Sequence, residues 1–162
     1  ASVTVYEYDV DTKETLELGK ISFPYDYDYY TYNFATNYTV IYNAMSSDKV
    51  TIQKVNSEQC DYSLPRKIQQ LVTGEEFAYA VCYEYDKDDA EYIDHPDNGI
   101  YKIELSTGTF KKIRDCTDNT WVYVLSDDEI YILDDNMKFT EYTTTVYFLN
   151  VSEGKEKKVF DY

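Results

Sequence analysis

The stretch GIYKIELSTGTFKKI, residues 99–113, holds a strand-like run, a polar turn around Gly108, and a second strand-like run. Ser and Thr close such turns by bonding the local backbone, and glycine does so because positive φ costs it nothing. Outward from this stretch the same unit recurs. VYEYDV (5–10), IYKIEL (100–105) and VYFLNV (146–151) share one pattern: apolar, Tyr, any residue, apolar or Tyr, acidic or Asn, apolar. Each is followed by a polar turn and a further apolar position, at Leu18, Ile113 and Val159. VTIQKV (50–55) is a looser fourth copy.

The copies start at 5, 50, 100 and 146, so they lie 45, 50 and 46 residues apart. A period of roughly 40–50 residues with four short strands per repeat is that of propeller blades. Each hairpin would then be the outer pair of a blade. The preceding strand, in YTVIYNA (38–44) or EFAYAVCYEY (76–85), would lie nearer the axis. The expectation is one all-β domain over 1–162, made of antiparallel four-stranded blade-like repeats. Its repeat hairpins fall near 5–18, 50–68, 100–113 and 146–159, and the whole is a β-propeller or a fragment of a larger one. An antiparallel β-sandwich or barrel is the alternative.

Three stretches complicate the pattern. IYILD (130–134) also fits a hairpin, with residues 138–142 as its partner, which breaks the period into 30 and 16 residues. SLPRKIQQLVTG (63–74) is the one segment with a helical look, or else a turn followed by a strand. Asn98-Gly99 reads as a two-residue type I′ hairpin turn, which needs positive φ twice.

Composition narrows the function. Tyr accounts for 20 residues against 7 Phe and 1 Trp, and its ring packs on a half-buried pleated surface while its hydroxyl reaches water. The formal charge of −16 repels phosphate backbones, and the basic residues are scattered, so nucleic-acid binding is excluded. Anionic membranes are disfavoured for the same reason. No apolar run approaches the roughly 20 residues that a bilayer span needs, so membrane insertion is excluded too. Acidity suits an extracellular or cell-surface protein, with a cytoplasmic one as the alternative. Cys60, Cys82 and Cys116 form no metal-ligand spacing and are expected as small apolar residues in strands. Asn37 and Asn150 head N-x-Ser/Thr triplets, which accept glycans only in a secretory pathway.

GIYKIELSTGTFKKI and VYEYDVDTKETLEL resemble the strand–turn–strand units of bacterial β-propellers of the TolB-like and YncE-like kind. The likeness spans most of the chain. The chain lacks the Gly-His and Trp-Asp of WD repeats, the double glycine of kelch repeats and the Asp-box. The resemblance implies a propeller segment, completed by further segments of the same propeller, that binds or scaffolds rather than catalyses.

Candidate sites follow from this placement. FPYDYDYYTYNF (23–34) puts Tyr25, Tyr27 and Tyr29 on one strand face, with the apolar face switching near Tyr30 and Pro24 marking entry to a bend. Tyr25, Tyr27, Tyr29, Tyr30 and Tyr32 are therefore candidate ligand-binding residues at a junction between blades, where a protein or carbohydrate could dock against flat rings. Asp86, Asp88 and Asp89 supply oxygens for a calcium ion but lack EF-hand spacing, so the expectation there is a hydrated turn and no cofactor. Lone His95 has no catalytic partner in sequence and reads as a loop residue. The expected function is a non-catalytic recognition or scaffold module. The alternative is a glycoside-hydrolase-like, carbohydrate-active enzyme, which would draw its carboxylate pair from Asp26, Asp28 and Glu84.

Overall fold

A computed structural model describes residues 2–22, 30–35, 37–43, 47–85, 95–138 and 141–162. Within them the regular structure is all β, in fourteen strands. Sheet I is the hairpin of β1 (Ser2–Tyr8) and β2 (Thr15–Ser22). Sheet II contains β3 (Tyr30–Ala35), β4 (Tyr38–Asn43), β5 (Lys49–Lys54) and β6 (Gln59–Ser63). Sheet III contains β7 (Ile68–Thr73), β8 (Phe77–Cys82), β9 (Gly99–Glu104) and β10 (Phe110–Arg114). Sheet IV contains β11 (Thr120–Ser126), β12 (Glu129–Lys138), β13 (Glu141–Asn150) and β14 (Lys155–Asp161).

Sheets II, III and IV are each an antiparallel meander in chain order, and each pairs only with itself. The expected all-β architecture of four-stranded antiparallel units is thus observed. Residues 5, 50, 100 and 146 fall in β1, β5, β9 and β13, and each of these strands pairs with the one that follows it.

The core lies between sheets, and sheet III occupies its middle. Ala78, Ala80, Cys82, Tyr101 and Ile103 on one face of sheet III pack with Val40, Tyr42, Val50 and Ile52 of sheet II. Tyr79, Val81, Tyr83 and Ile100 on its other face pack with Val122, Ile130, Ile132 and Leu149 of sheet IV. A strand buried on both faces reads as a continuous apolar run, and FAYAVC in β8 is one. Burying side chains of this size contributes about 1.5–3 kcal/mol each.

Neighbouring sheets approach most closely at their first strands, β3 to β7 and β7 to β11. Side chains fasten them there. The Thr73 hydroxyl donates to the Phe34 carbonyl at 3.1 Å. Gln70 bonds Val122 twice: its amide nitrogen donates to the Val122 carbonyl at 3.1 Å, and its oxygen accepts from the Val122 N–H at 2.7 Å. The fourth strands are more open, and every residue of β14 is exposed. The sheets therefore meet along their first strands and open toward their last.

Turn chemistry sets one inter-sheet contact. Gly108, at φ +70° in the β9–β10 turn, lies so close to Tyr62 of β6 that a Cβ would stand 2.0 Å from its ring. No side chain fits at that position.

Three sequence expectations need correction, and a fourth reading is decided between its alternatives. Residues 63–74 contain no helix; the turn followed by a strand is observed, with residues 68–73 forming β7. A register shift between Ile68 and Gln70 puts Ile68 and Leu71 on one buried face, which mimics helical spacing. The second hairpin stops at Ser63 rather than 68, because Leu64 and Ile68 donate their N–H groups to the Asp48 and Ser47 carbonyls and lead into sheet III. Asn98-Gly99 is not a tight turn: it ends the connection from β8 to β9, and neither residue has positive φ. The Asn98 side chain instead bonds the backbone N–H and carbonyl of Glu84. Finally, residues 130–134 lie in the second strand of sheet IV, which pairs with the whole of β13 rather than with residues 138–142 alone. The departure from a steady period reflects four strands packed into a short stretch with brief turns.

Candidate interaction surfaces

Antiparallel meanders sort the connections by end. The turns β1–β2, β3–β4, β5–β6, β7–β8, β9–β10, β11–β12 and β13–β14 lie at one end of the sheets, hereafter the turn end. The sheet-to-sheet crossings and the links β4–β5, β8–β9 and β12–β13 lie at the other, the connection end.

The turn end is locked by its own polar groups. The Asp127 carboxylate, between β11 and β12, accepts from the backbone N–H groups of Glu75 (2.8 Å), Glu76 (3.2 Å) and Phe77 (3.3 Å) in the β7–β8 turn. The Tyr79 hydroxyl donates to the Asp127 carbonyl at 2.5 Å, and burial pushes the pKa of this phenol well up. Glu104 accepts from Thr107, Ser106 and Thr109 hydroxyls, which hold its pKa below the usual carboxylate range. Asp9 is held down likewise by the N–H groups of Thr12 and Asp11.

A cleft of about 380 Å³ opens between sheets III and IV at this end, lined in part by Phe77, Lys102, Phe110, Asp128 and Val151. Its ammonium is already engaged: Lys102 Nζ lies 3.7 Å from the Phe77 ring centroid and 2.8 Å from Asp128.

Arg114, at the end of β10, joins sheets III and IV. Its Nη2 meets Asp134 at 2.8 Å, its Nε meets Glu156 at 2.7 Å, and its guanidinium stacks 4.7 Å from the Tyr147 ring centroid. Burial works against its charge, but the hydrogen bonds it donates to Asp134 and Glu156 prevail and raise its pKa. This is a joint rather than a reactive centre.

The connection end carries a further set of aromatic and charged groups. Tyr83 and Tyr85 meet edge to face, with ring centroids 5.0 Å apart, and the Tyr85 hydroxyl bonds Asp118. Lys67 and Arg66 flank Glu84, at 3.0 and 3.8 Å. His95 Nδ1 accepts from the Asp97 N–H at 3.2 Å. Of the predicted ligand-binding tyrosines, Tyr30 and Tyr32 are half-buried on β3, and both point to the face of sheet II away from sheet III. Tyr25, Tyr27 and Tyr29 lie outside the described residues, as do Asp26 and Asp28 and the candidate calcium ligands Asp86, Asp88 and Asp89. Glu84, the described member of the proposed carboxylate trio, is paired with Lys67 and Arg66. Among the described residues no group of His, Cys, Asp and Glu is arranged to hold a metal. No helix of the described residues is long and apolar enough to cross a membrane.

The third surface escaped sequence reasoning. Sheet IV packs Val122, Ile130, Ile132 and Leu149 inward, so the intervening residues face away from the core. These are Trp121 (47% exposed), Tyr123 (53%) and Leu125 (54%) on β11, with Tyr131, Leu133 and Phe148 beside them. Tyr131 and Phe148 meet edge to face at 5.8 Å. Exposed Phe160 of β14, opposite Val146, extends the patch to the outer edge. The signal was present: WVYVL and EIYIL are apolar at consecutive positions, as strands covered on both faces are.

The cysteines divide by position. Cys60 is exposed on β6, against the expectation of a buried residue, while Cys82 and Cys116 are buried. Burial pushes the Cys116 thiol up to about 12, and it donates to the Cys82 carbonyl at 3.4 Å.

No protein-family model matches the chain, and comparison with curated proteins finds no match.

Proposed function

We propose that the chain is a non-catalytic recognition and scaffold module, built as a segment of a β-propeller and acting in a secreted or surface-displayed protein. The observation that carries this reading is the close approach of successive meanders along their first strands, β3 to β7 to β11. Blades around an axis make their nearest contacts in this way. Such an arrangement gathers the inter-sheet crossings at one end, where loops are free to vary and to bind. In this chain that end displays Tyr30, the Tyr83–Tyr85 pair and the Arg66–Glu84–Lys67 group. Tyrosine rings beside hydrogen-bonding charges suit a sugar face or a protein loop. The likeness to TolB-like and YncE-like propellers supports the same reading.

The test is a glycan-array and partner pull-down screen, followed by titration of any ligand found. Tyr85→Ala and Tyr30→Ala should each weaken binding by about tenfold or more, as expected for aromatic anchors worth at least 1.4 kcal/mol. Binding that both substitutions leave intact would place the ligand elsewhere and refute the assignment.

A further inference from the structure

We propose that the open face of sheet IV docks the β1–β2 hairpin of a second copy of the chain, head to tail. This surface is separate from the connection end and needs no ligand there.

Continuity with the internal stacking gives the first argument. In sheets II and III the second strand presents alternate large residues to the sheet that follows. Val40 and Tyr42 do so from β4, and Tyr79 and Val81 from β8, all of them buried. Tyr131 and Leu133 hold the corresponding places on β12, flanked by Tyr123 and Trp121 of β11 and by Phe148 of β13, with no described sheet over them. A patch of Trp, Tyr and Phe at the centre of a flat face has the composition of a binding hot spot.

The hairpin is the other incompletely packed sheet. It has two strands, and Tyr6 and Tyr8 are 56% and 58% exposed, with Leu16 also exposed. Its observed fastening to sheet II is at Leu18 and Gly19: the Asn56 amide donates to the Leu18 carbonyl at 2.9 Å, and a Cβ on Gly19 would collide with Asn56. An isolated two-stranded hairpin is marginal in water and gains stability from an apolar cover.

Charge selects between the two ways of pairing copies. Residues 2–22 carry Glu7, Asp9, Asp11, Glu14 and Glu17 against Lys13 and Lys20. Strand β14, which borders the open face, carries Lys155, Lys157 and Lys158 against Glu156 and Asp161. Lys155 and Lys157, opposite Asn150 and Phe148, lie on the open-face side, and the exposed pair of Lys155 with Glu153 is weak enough to be exchanged for a partner's carboxylate. A face-to-face dimer of sheet IV whose two-fold axis runs across the strands would oppose lysine strand to lysine strand. A head-to-tail contact sets the basic strand beside the acidic hairpin, and such heterologous contacts close into a ring or extend.

Two blocked variants test the polarity. Trp121→Asp with Tyr123→Asp blocks the face, and Tyr6→Asp with Tyr8→Asp blocks the hairpin. All four residues are exposed, and unchanged circular dichroism and melting would verify the fold. In light scattering across a wide concentration range, the wild-type chain should grow in mass with concentration and shrink with added salt. Each variant alone should stay monomeric. Their equimolar mixture should stop at a dimer, because one member retains the hairpin and the other the face. A wild-type chain that is monomeric throughout overturns the proposal. So does self-association of the hairpin-blocked variant, which marks a symmetric contact between open faces, and so does a mixture that stays monomeric while the wild type associates.

Discussion

Sheet III is covered on both faces and sheet IV on one, yet their strands carry much the same apolar alternation. In β8 the run from Ala78 to Cys82 is wholly buried. In β11 and β12, Thr120, Val122, Ile130, Ile132 and Asp134 are buried, while Trp121, Tyr123 and Leu125 are about half exposed. The physical rule is that apolar residues on both faces specify cover on both faces, because each uncovered large side chain forgoes roughly 1.5–3 kcal/mol of burial. Sheet III satisfies that specification within the chain. Sheet IV satisfies half of it.

The comparison is most directly broken by mutation. Ile132→Ala, on the covered face of sheet IV, should destabilise by about 2–5 kcal/mol in urea unfolding, through lost burial and a cavity. Tyr123→Ala, from the adjacent strand but on the open face, should change the monomer by about 0.5 kcal/mol or less. Similar costs for the two would mean that the faces do not differ. Next in size comes Gln70→Ala, which strips both hydrogen bonds from the Val122 backbone at the joint between sheets III and IV. It should cost about 1–3 kcal/mol in the same assay.

Thiol chemistry sharpens the contrast between covered and open positions. Cys60 should react with a disulfide reagent in the native protein. Cys82 and Cys116, whose pKa values burial raises, should react only on unfolding. Three thiols titrating at one rate would contradict the burial of sheet III.

The smallest effect concerns acid. The hydrogen bonds from Lys158 and Thr145 hold the Asp161 carboxyl below its usual range, at the exposed end of β14. A group with a depressed native pKa stabilises the fold above its unfolded value, about 4, and loses that contribution as pH falls through the native value. Lowering the pH below 4 should therefore reduce the protection of the Thr144 and Tyr162 amides, measured against the intrinsic exchange rate at each pH; these two residues bond each other across this end. Asp161→Asn should abolish that dependence.

Much of the fold was legible, and unevenly so. The third strands of sheets III and IV and the first strand of the hairpin are short alternating runs followed by polar turns, so IYKIEL, VYFLNV and VYEYDV marked them at once. First strands were harder. β7 looked helical because a register shift spaces its buried residues by three, and its polar Gln70 faces another strand's backbone rather than water. Asp127 carries no mark in the sequence, since nothing nearby reveals that it caps a turn some fifty residues away. The open aromatic face was missed for a related reason: in a string of letters an apolar residue looks the same whether or not anything covers it. The tyrosines at 25, 27 and 29, prominent in the sequence, lie outside the described residues, and half-buried Tyr30 and Tyr32 are what the structure adds to that reading.

The Gln70 side chain is an amide that imitates a peptide unit, offering Val122 one donor and one acceptor as a neighbouring strand would. Sheets III and IV are thereby joined by side chains, at Gln70 as at Asp127 and Arg114, instead of being zipped along a backbone ladder. Each sheet keeps its own hydrogen-bond ladder complete, so the contact between sheets is specified by individual residues that substitution can remove one at a time.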